Sequence, residues 1–307
     1  MDISKLEYFF DVHPISTVVI MTICLSCIRW TLNKLSPSRF VNIDEPSPFK
    51  SLVLRNKINE SLWFLIYYTF SFGYNVRILI DKPWIWDTSQ YWSTSNIYPF
   101  SFKFLYFLQL SFYISALCFV LFLSNARKNH QDKYAMMIHH MASIGLILFS
   151  YILREIRIGS FVMCLHDVSD IFLESAKISR YINCHQAKVI LFICFALVFF
   201  VSRLIIYPTR VLYPAVLQKS GKYYEWIVRV PKGSINRKKT MLINWKIPQL
   251  QFWFIGLGSL QLLHIYWFIL ILRMICGALK NRKLKEDIRS DDEEELVVVE
   301  KTKVRTE

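Results

Sequence analysis

The chain has 307 residues, 54% of them hydrophobic and 16% aromatic, with a formal charge of +14. Its mean hydropathy is positive and apolar runs recur along most of its length, which is membrane-protein composition and excludes open sheets, whose backbone lipid cannot satisfy. The basic residues sit between the apolar runs, so the charge reads as topogenic loops beside an anionic membrane face and not as a nucleic-acid footprint.

Seven windows carry the apolar load, at 14–33, 61–80, 101–124, 135–153, 158–178, 188–207 and 250–273. Each is near the ~20 residues that a spanning helix needs. The expected fold is all-α, a polytopic membrane bundle of about seven helices with a catalytic cavity inside it. The first window, "PISTVVIMTICLSCIRWTL", lacks a preceding basic region and a small-residue cleavage pattern, so it reads as a retained anchor. Residues 1–36 are then an anchor with a short lumenal tail, 50–275 a catalytic membrane domain and 276–307 a charged cytosolic tail. Cys24 and Cys27 form a lone CxxC on an apolar helix, which reads as packing because no second pair completes a zinc site.

With the amino terminus outside the cytosol, segments 34–60, 125–134, 179–187 and the tail fall on the cytosolic side and carry Lys34, Arg55, Arg127, Lys128, Lys133, Arg180 and Lys280, as the positive-inside rule requires. The loop 208–249 conflicts, since it holds Arg210, Lys219, Arg229, Arg237, Lys246 and other cations on the lumenal side. The tail "RSDDEEELVVVEKTKVRTE" mixes dense charge of both signs and reads as solvated. Ser290 before its acidic run resembles an acid-directed phosphorylation site, with a plain solubilising tail as the alternative. The sequon at Asn59 would face the cytosol and carry no glycan. No phosphate-binding glycine loop, GxSxG elbow or HExxH is present.

The stretch "LHDVSDIFLESAK", 165–177, places charges inside an apolar window. Asp167, Asp170, Glu174, Lys177 and Tyr181 advance by three and four positions, which puts them on one helix face. A charge at the centre of a span costs on the order of 2.5–3.5 kcal/mol on insertion scales, so the stripe must face a cavity or partner helices. A purely structural ion pair, Glu174 with Lys177, is the alternative. The preceding helix, "MMIHHMASIGLILFSY", holds His139 and His140, and a short link, Arg154 to Arg157, returns the chain antiparallel. At about 1.5 Å per residue from the cytosolic ends, His139 and His140 lie roughly 6–8 Å deep, Asp170 about 12 Å and Asp167 about 16 Å. Adjacent histidines point about 100° apart, so one lines the site while the other holds backbone or a carboxylate.

A metal site would use several separate histidine boxes, as membrane lipid hydroxylases and desaturases do, yet His13, His130, His185 and His264 are isolated in sequence. No metal and no bound cofactor are expected. General acid/base or nucleophilic catalysis fits better, because a histidine beside an aspartate can take a proton or itself attack an acyl carbon.

The segment 139–181, with its His-His pair, Ser-Tyr, Arg-x-Gly, HDxxD, LExAK and closing Tyr, closely resembles the longevity-assurance motif of ceramide synthases, members of the TLC-domain family. "DKPWIWD" at 81–87, "LSFYIS" at 110–115 and "LQLLHIYWFILILRM" at 260–274 are similar to family segments, as is the acidic "RSDDEEE". The resemblance implies N-acylation of a sphingoid base by a fatty acyl-CoA co-substrate in the endoplasmic reticulum membrane. It assigns His139, His140, Asp167 and Asp170 to the catalytic positions, with Ser150, Arg157, Gly159, His166, Glu174 and Lys177 in support. Arg127, Lys128 and Lys133 are candidate contacts for CoA phosphates, with topogenic charge as the alternative. A homo- or heterodimer is left open, as is a non-enzymatic relative of the same fold, and no nucleic-acid partner is expected. The chain departs from the family at Arg154, where Asn is frequent, and in the loop 208–249, which in the family tunes acyl length. It also has only about 27 residues between its first two apolar windows, too few for the homeobox-like insert of many animal relatives.

Overall fold

The computed structural model describes residues 3–35, 48–92, 99–123, 130–218 and 237–281. Among these, helices alone make up the regular structure. A short helix α1 (Ile3–Val12) leads into α2 (Pro14–Leu35), followed by α3 (Pro48–Leu79), α4 (Phe100–Cys118), α5 (His130–Ile152), α6 (Ile156–Tyr181), α7 (His185–Phe199) and α8 (Arg237–Asn281). Within the described residues each apolar window overlaps one of these helices, those at 101–124 and 188–207 running on into π-helical turns. By length and composition alone, four stretches are apolar enough to cross a membrane, Pro14–Leu35, Phe100–Phe122, His185–Val216 and Ile255–Gly277. α3, α5 and α6 stay outside that group; the apolar part of α5, Met136–Ile152, is too short.

Helix α4 is apolar nearly all round and buried along its length, from Phe102 through Ala116, as a central helix must be. It packs on α2 and α5, while α6 packs most extensively on α3 and α7. Aromatic rings cement α1 and α3 to α4, with Tyr67 stacked on Phe112 at 3.5 Å between centroids and Phe10 against Phe100 and Phe107. The outer faces of α2 and α8 expose Ile15, Val19, Ile23, Ile255, Leu262 and Ile269. Such apolar belts on single helices suit a lipid surround.

The structure alters the expected boundaries in several places. α3 begins at Pro48, placing Arg55 and Lys57 inside a helix. The link after α5 is only 153–155, so Arg157 belongs to the first turn of α6. That turn passes through Arg154 at φ 59°, and the next one, after α6, through Asn183 at φ 58°. The described parts of the loop expected at 208–249, residues 208–218 and 237–249, are helical. α7 continues beyond Phe199 as π-helical turns, Phe200–Ile206, Pro208–Leu212 and Pro214–Gln218, and α8 already starts at Arg237. Wide turns fit here because Pro208 and Pro214 cannot donate a backbone N–H, and the i to i−5 bonds from Tyr207 to Ser202 and from Tyr213 to Pro208 replace the lost ladder.

Past the end of α3, the 3₁₀ turns Pro83–Ile85 and Thr88–Trp92 fold back over the bundle. Arg210 on the π-helical extension donates to the carbonyls of Ile85 and Trp86, both at 2.8 Å. Arg157 donates to the Gln90 carbonyl and lies 4.7 Å from the Trp84 ring centroid. Asp87 accepts from Ser89 and Gln90, and these bonds hold its exposed carboxyl below the ordinary carboxylate range.

Candidate functional site

The polar residues of α6 find partners on α3, α4, α7 and α8. Facing α3 and α4, Asp167 is 1% exposed and accepts at one oxygen from Ser71 at 2.7 Å and from Gln109 at 2.8 Å. The Gln109 amide spends its second hydrogen on Ser71, also at 2.8 Å, and its carbonyl accepts from the Tyr67 hydroxyl at 3.2 Å. Tyr67, Ser71 and Asn75 recur every fourth residue on α3, so one face of that helix serves this network, and Asn75 closes it by donating to the Ser160 carbonyl at 3.1 Å. A buried network of this kind fixes helix register, and within it only the Asn75 Oδ1 is buried without a partner among the described residues.

Asp170, a turn further along, meets α7 instead. Arg203 donates to it at 2.7 Å and to the His166 carbonyl at 3.1 Å, with its guanidinium 4.8 Å from the Phe199 ring centroid. The Asp170 side chain remains 21% exposed, against 5% for Arg203, so of the two aspartates it is the one a ligand can reach. Glu174 pairs with Lys177 at 2.7 Å within α6, the structural ion pair foreseen as an alternative for that part of the stripe.

The histidine pair lies against aromatic rings. His140 is 4% exposed, whereas His139 is partly exposed. Tyr113 on α4 approaches both rings, at 6.3 Å from His139 and 5.8 Å from His140, and Trp267 on α8 meets His139 edge-on at 5.3 Å. The Nδ1 of His139 is buried without a hydrogen-bond partner among the described residues. Tyr113 of α4 and Trp267 of α8 thus border the pair, while the partners of Asp167 are Ser71 and Gln109, and the cation at Asp170 is Arg203.

The supporting positions have definite tasks. Ser150 accepts from the Tyr106 hydroxyl at 2.7 Å and donates to the Glu155 carbonyl at 3.1 Å. Gly159 stands directly against both hydroxyls, where any Cβ would overlap them. His166 is partly buried and meets His264, which is isolated in sequence but not in space: the two Nε2 atoms lie 2.9 Å apart across α6 and α8. Sequence distance, 98 residues, hid a contact that only the packing of the last helix creates. Arg127, Lys128 and Ser290 lie outside the described residues, as does the tail from 282, and Lys133 is described only as part of α5.

Sequence reasoning missed Ser71, Gln109, Tyr113, Arg203 and Trp267. Two carried a usable signal. Gln109 is an amide in an otherwise apolar stretch of α4, and Arg203 is a cation inside an apolar window, where an ionisable group is a functional candidate by default.

A polytopic helical membrane protein with a buried His, Asp and Arg core is the class defined by this geometry. Residues 57–273 match the family model TRAM, LAG1, CLN8, the TLC domain. The chain belongs to the TLC-domain family. It is 36% identical to ceramide synthase 4 of Mus musculus over 261 residues, 82% of this chain and 57% of that protein. It is 37% identical to ceramide synthase 5 of Homo sapiens over 243 residues, 77% of this chain and 55% of that protein. Ceramide synthase LOH1 of Arabidopsis thaliana is 33% identical over 245 residues, 77% of this chain and 73% of that protein. The chain spans a little over half the length of the animal relatives it matches.

Proposed function

We propose that the chain is a ceramide synthase, transferring a fatty acyl group from acyl-CoA to the amine of a sphingoid base. The observation that carries this reading is the partly exposed His139 in a bundle core shared with the reachable Asp170, within a chain 33–37% identical to ceramide synthases.

In the reaction the amine nitrogen attacks the thioester carbonyl, the C–S bond breaks, and CoA leaves as its thiol after the ammonium proton has been handed on. His139 serves in one of two ways, taking the amine proton as general base or accepting the acyl group on its ring as a transient acyl-imidazole that the amine then cleaves. Asp170, fixed by Arg203, is placed to hold the ammonium or hydroxyls of the base. Asp167, held at one oxygen by Ser71 and Gln109, orients α6. Both substrates are single-chain lipids with polar heads, which suits a polar core inside an apolar bundle.

The same reading puts the protein in the endoplasmic reticulum membrane with its carboxy-terminal tail in the cytosol. CoA then arrives at the cytosolic mouth, where Arg127, Lys128 and Lys133 meet its phosphates.

The test expresses the chain in cells lacking ceramide synthase activity and assays membranes with a labelled sphingoid base and a panel of acyl-CoAs. His139→Ala, His140→Ala and Asp170→Asn run beside it at matched expression. Product with one acyl range, lost in the variants, supports the assignment. No product with any donor from folded protein overturns it and leaves a lipid-binding or regulatory relative.

A further inference from the structure

The inward face of α8 is a stripe of Leu257, Leu260, His264, Trp267 and Ile271 at alternating spacings of three and four. Leu257, Leu260 and Ile271 are buried and apolar as expected, but His264, at 0% exposure, puts an imidazole in the middle of the stripe. Its ring stands edge-on to Tyr207 at 5.0 Å and to Phe199 at 6.2 Å, and its Nε2 lies 2.9 Å from Nε2 of His166.

The roles in that contact follow from the other end of His166. Its Nδ1 lies 2.7 Å from the Val162 carbonyl, which can only accept. With both rings neutral, His166 therefore donates from Nδ1 and presents a lone pair at Nε2, and His264 must donate from its own Nε2. One turn along, Trp267 touches His139 on α5. α8 thus grips both motif histidines, the first of the His-His pair and the one that opens HDxxD, while Arg203 takes hold of the His166 carbonyl from α7.

We propose that His264 is a positioning residue for acyl transfer: its Nε2–H bond to His166, with Trp267 against His139, makes α8 the strut that sets His139 relative to Asp170. The inference rests on the N-acyltransferase reading above. It gives His166, which precedes Asp167 in the chain, the task of receiving that strut rather than touching substrate.

The experiment compares the full chain with His264→Leu, His264→Gln and His264→Asn in lipid nanodiscs, measuring kcat and KM for acyl-CoA and for sphinganine, and melting temperature. Glutamine places an amide N–H close to where Nε2–H lies, whereas asparagine places it near Nδ1 and leucine has none. Misplacement of a reacting group by about 1 Å costs on the order of 100-fold. His264→Leu and His264→Asn should therefore lose kcat by about 10–100-fold with little change in either KM, and His264→Gln should recover most of it. If leucine does not fold, the glutamine and asparagine pair decides alone. Equal kcat in those two, a loss confined to KM, or full activity in the leucine variant overturns the proposal. A wild-type chain that acylates no base with any donor sinks the enzyme reading instead.

Discussion

Gly159→Ala places a methyl where two hydroxyls already stand. Gly159 lies in the first turn of α6, and a Cβ built on it overlaps both the Tyr106 Oη of α4 and the Ser150 Oγ of α5. Neither hydroxyl is free to retreat. Tyr106 is 1% exposed and donates to Ser150 at 2.7 Å, and Ser150 relays to the Glu155 carbonyl at 3.1 Å. Overpacking of a dense core costs about 1–3 kcal/mol, and each buried hydrogen bond forfeited adds about 0.5–1.5 kcal/mol, so the substitution should destabilise by about 2–6 kcal/mol. At about 2–4 °C per kcal/mol for a domain of 150–250 residues, the melting temperature of the nanodisc-embedded chain should fall by roughly 5–20 °C. Repeating the substitution in a Tyr106→Phe/Ser150→Ala background, which removes both obstructing oxygens, should restore most of that loss. An unchanged melting temperature for Gly159→Ala, or an equal drop in the two backgrounds, would refute the packing argument.

Further predictions concern the ion pair and the folded-back turns. Arg203→Met should be less stable than Arg203→Met/Asp170→Asn, because the single variant leaves a carboxylate without its cation at a cost of about 3–5 kcal/mol; thermal unfolding of the pair checks the order. Arg210→Ala should free the Pro83–Ile85 turn from α7, read as faster amide exchange at 83–92 with exchange in α4 unchanged. Asp87 has a depressed carboxyl in the folded chain, so its contribution is present above the unfolded value near 4 and is lost as the pH falls below it. Protection of the Ser89 amide, which donates to the Asp87 carboxylate, should therefore decline on acidification below about pH 4 once corrected for intrinsic exchange, and Asp87→Asn should abolish that dependence.

The sequence revealed the helices better than their partners. Apolar runs near the spanning length are read directly from composition, and each overlaps a helix among the described residues, though four stretches are long and apolar enough to cross a membrane by themselves. The α6 stripe was legible for the same reason, since charges in an apolar run must face a cavity or partners, and part of it, Glu174 with Lys177, is the structural ion pair weighed as the alternative. Its neighbours were not, because a spacing rule places residues on a face without saying which helix lies opposite. Asp167 and Asp170 share a face by count, yet one meets Ser71 and Gln109 and the other meets Arg203. Arg203 itself sits where α7 changes to π-helical turns, and an expected 3.6-residue repeat would have aimed it elsewhere. The extent of α7 was misjudged because prolines normally end a helix, and here the wide turns carry it past them. The His166–His264 contact depends on two helices far apart in sequence, where periodicity is silent.

The turn between α5 and α6 has a practical consequence. Arg154 occupies the left-handed region at φ 59°, as Asn183 does at φ 58° beyond the other end of α6. That conformation costs an ordinary L-residue about 1–2 kcal/mol, and asparagine, whose short side chain bonds locally, tolerates it better. The chain therefore has the tolerant residue at one end of its most polar helix and an intolerant one at the other. Arg154 is consequently a place to engineer a hardier protein for purification: Arg154→Asn relieves the backbone at a tight corner without changing any side chain of the candidate site.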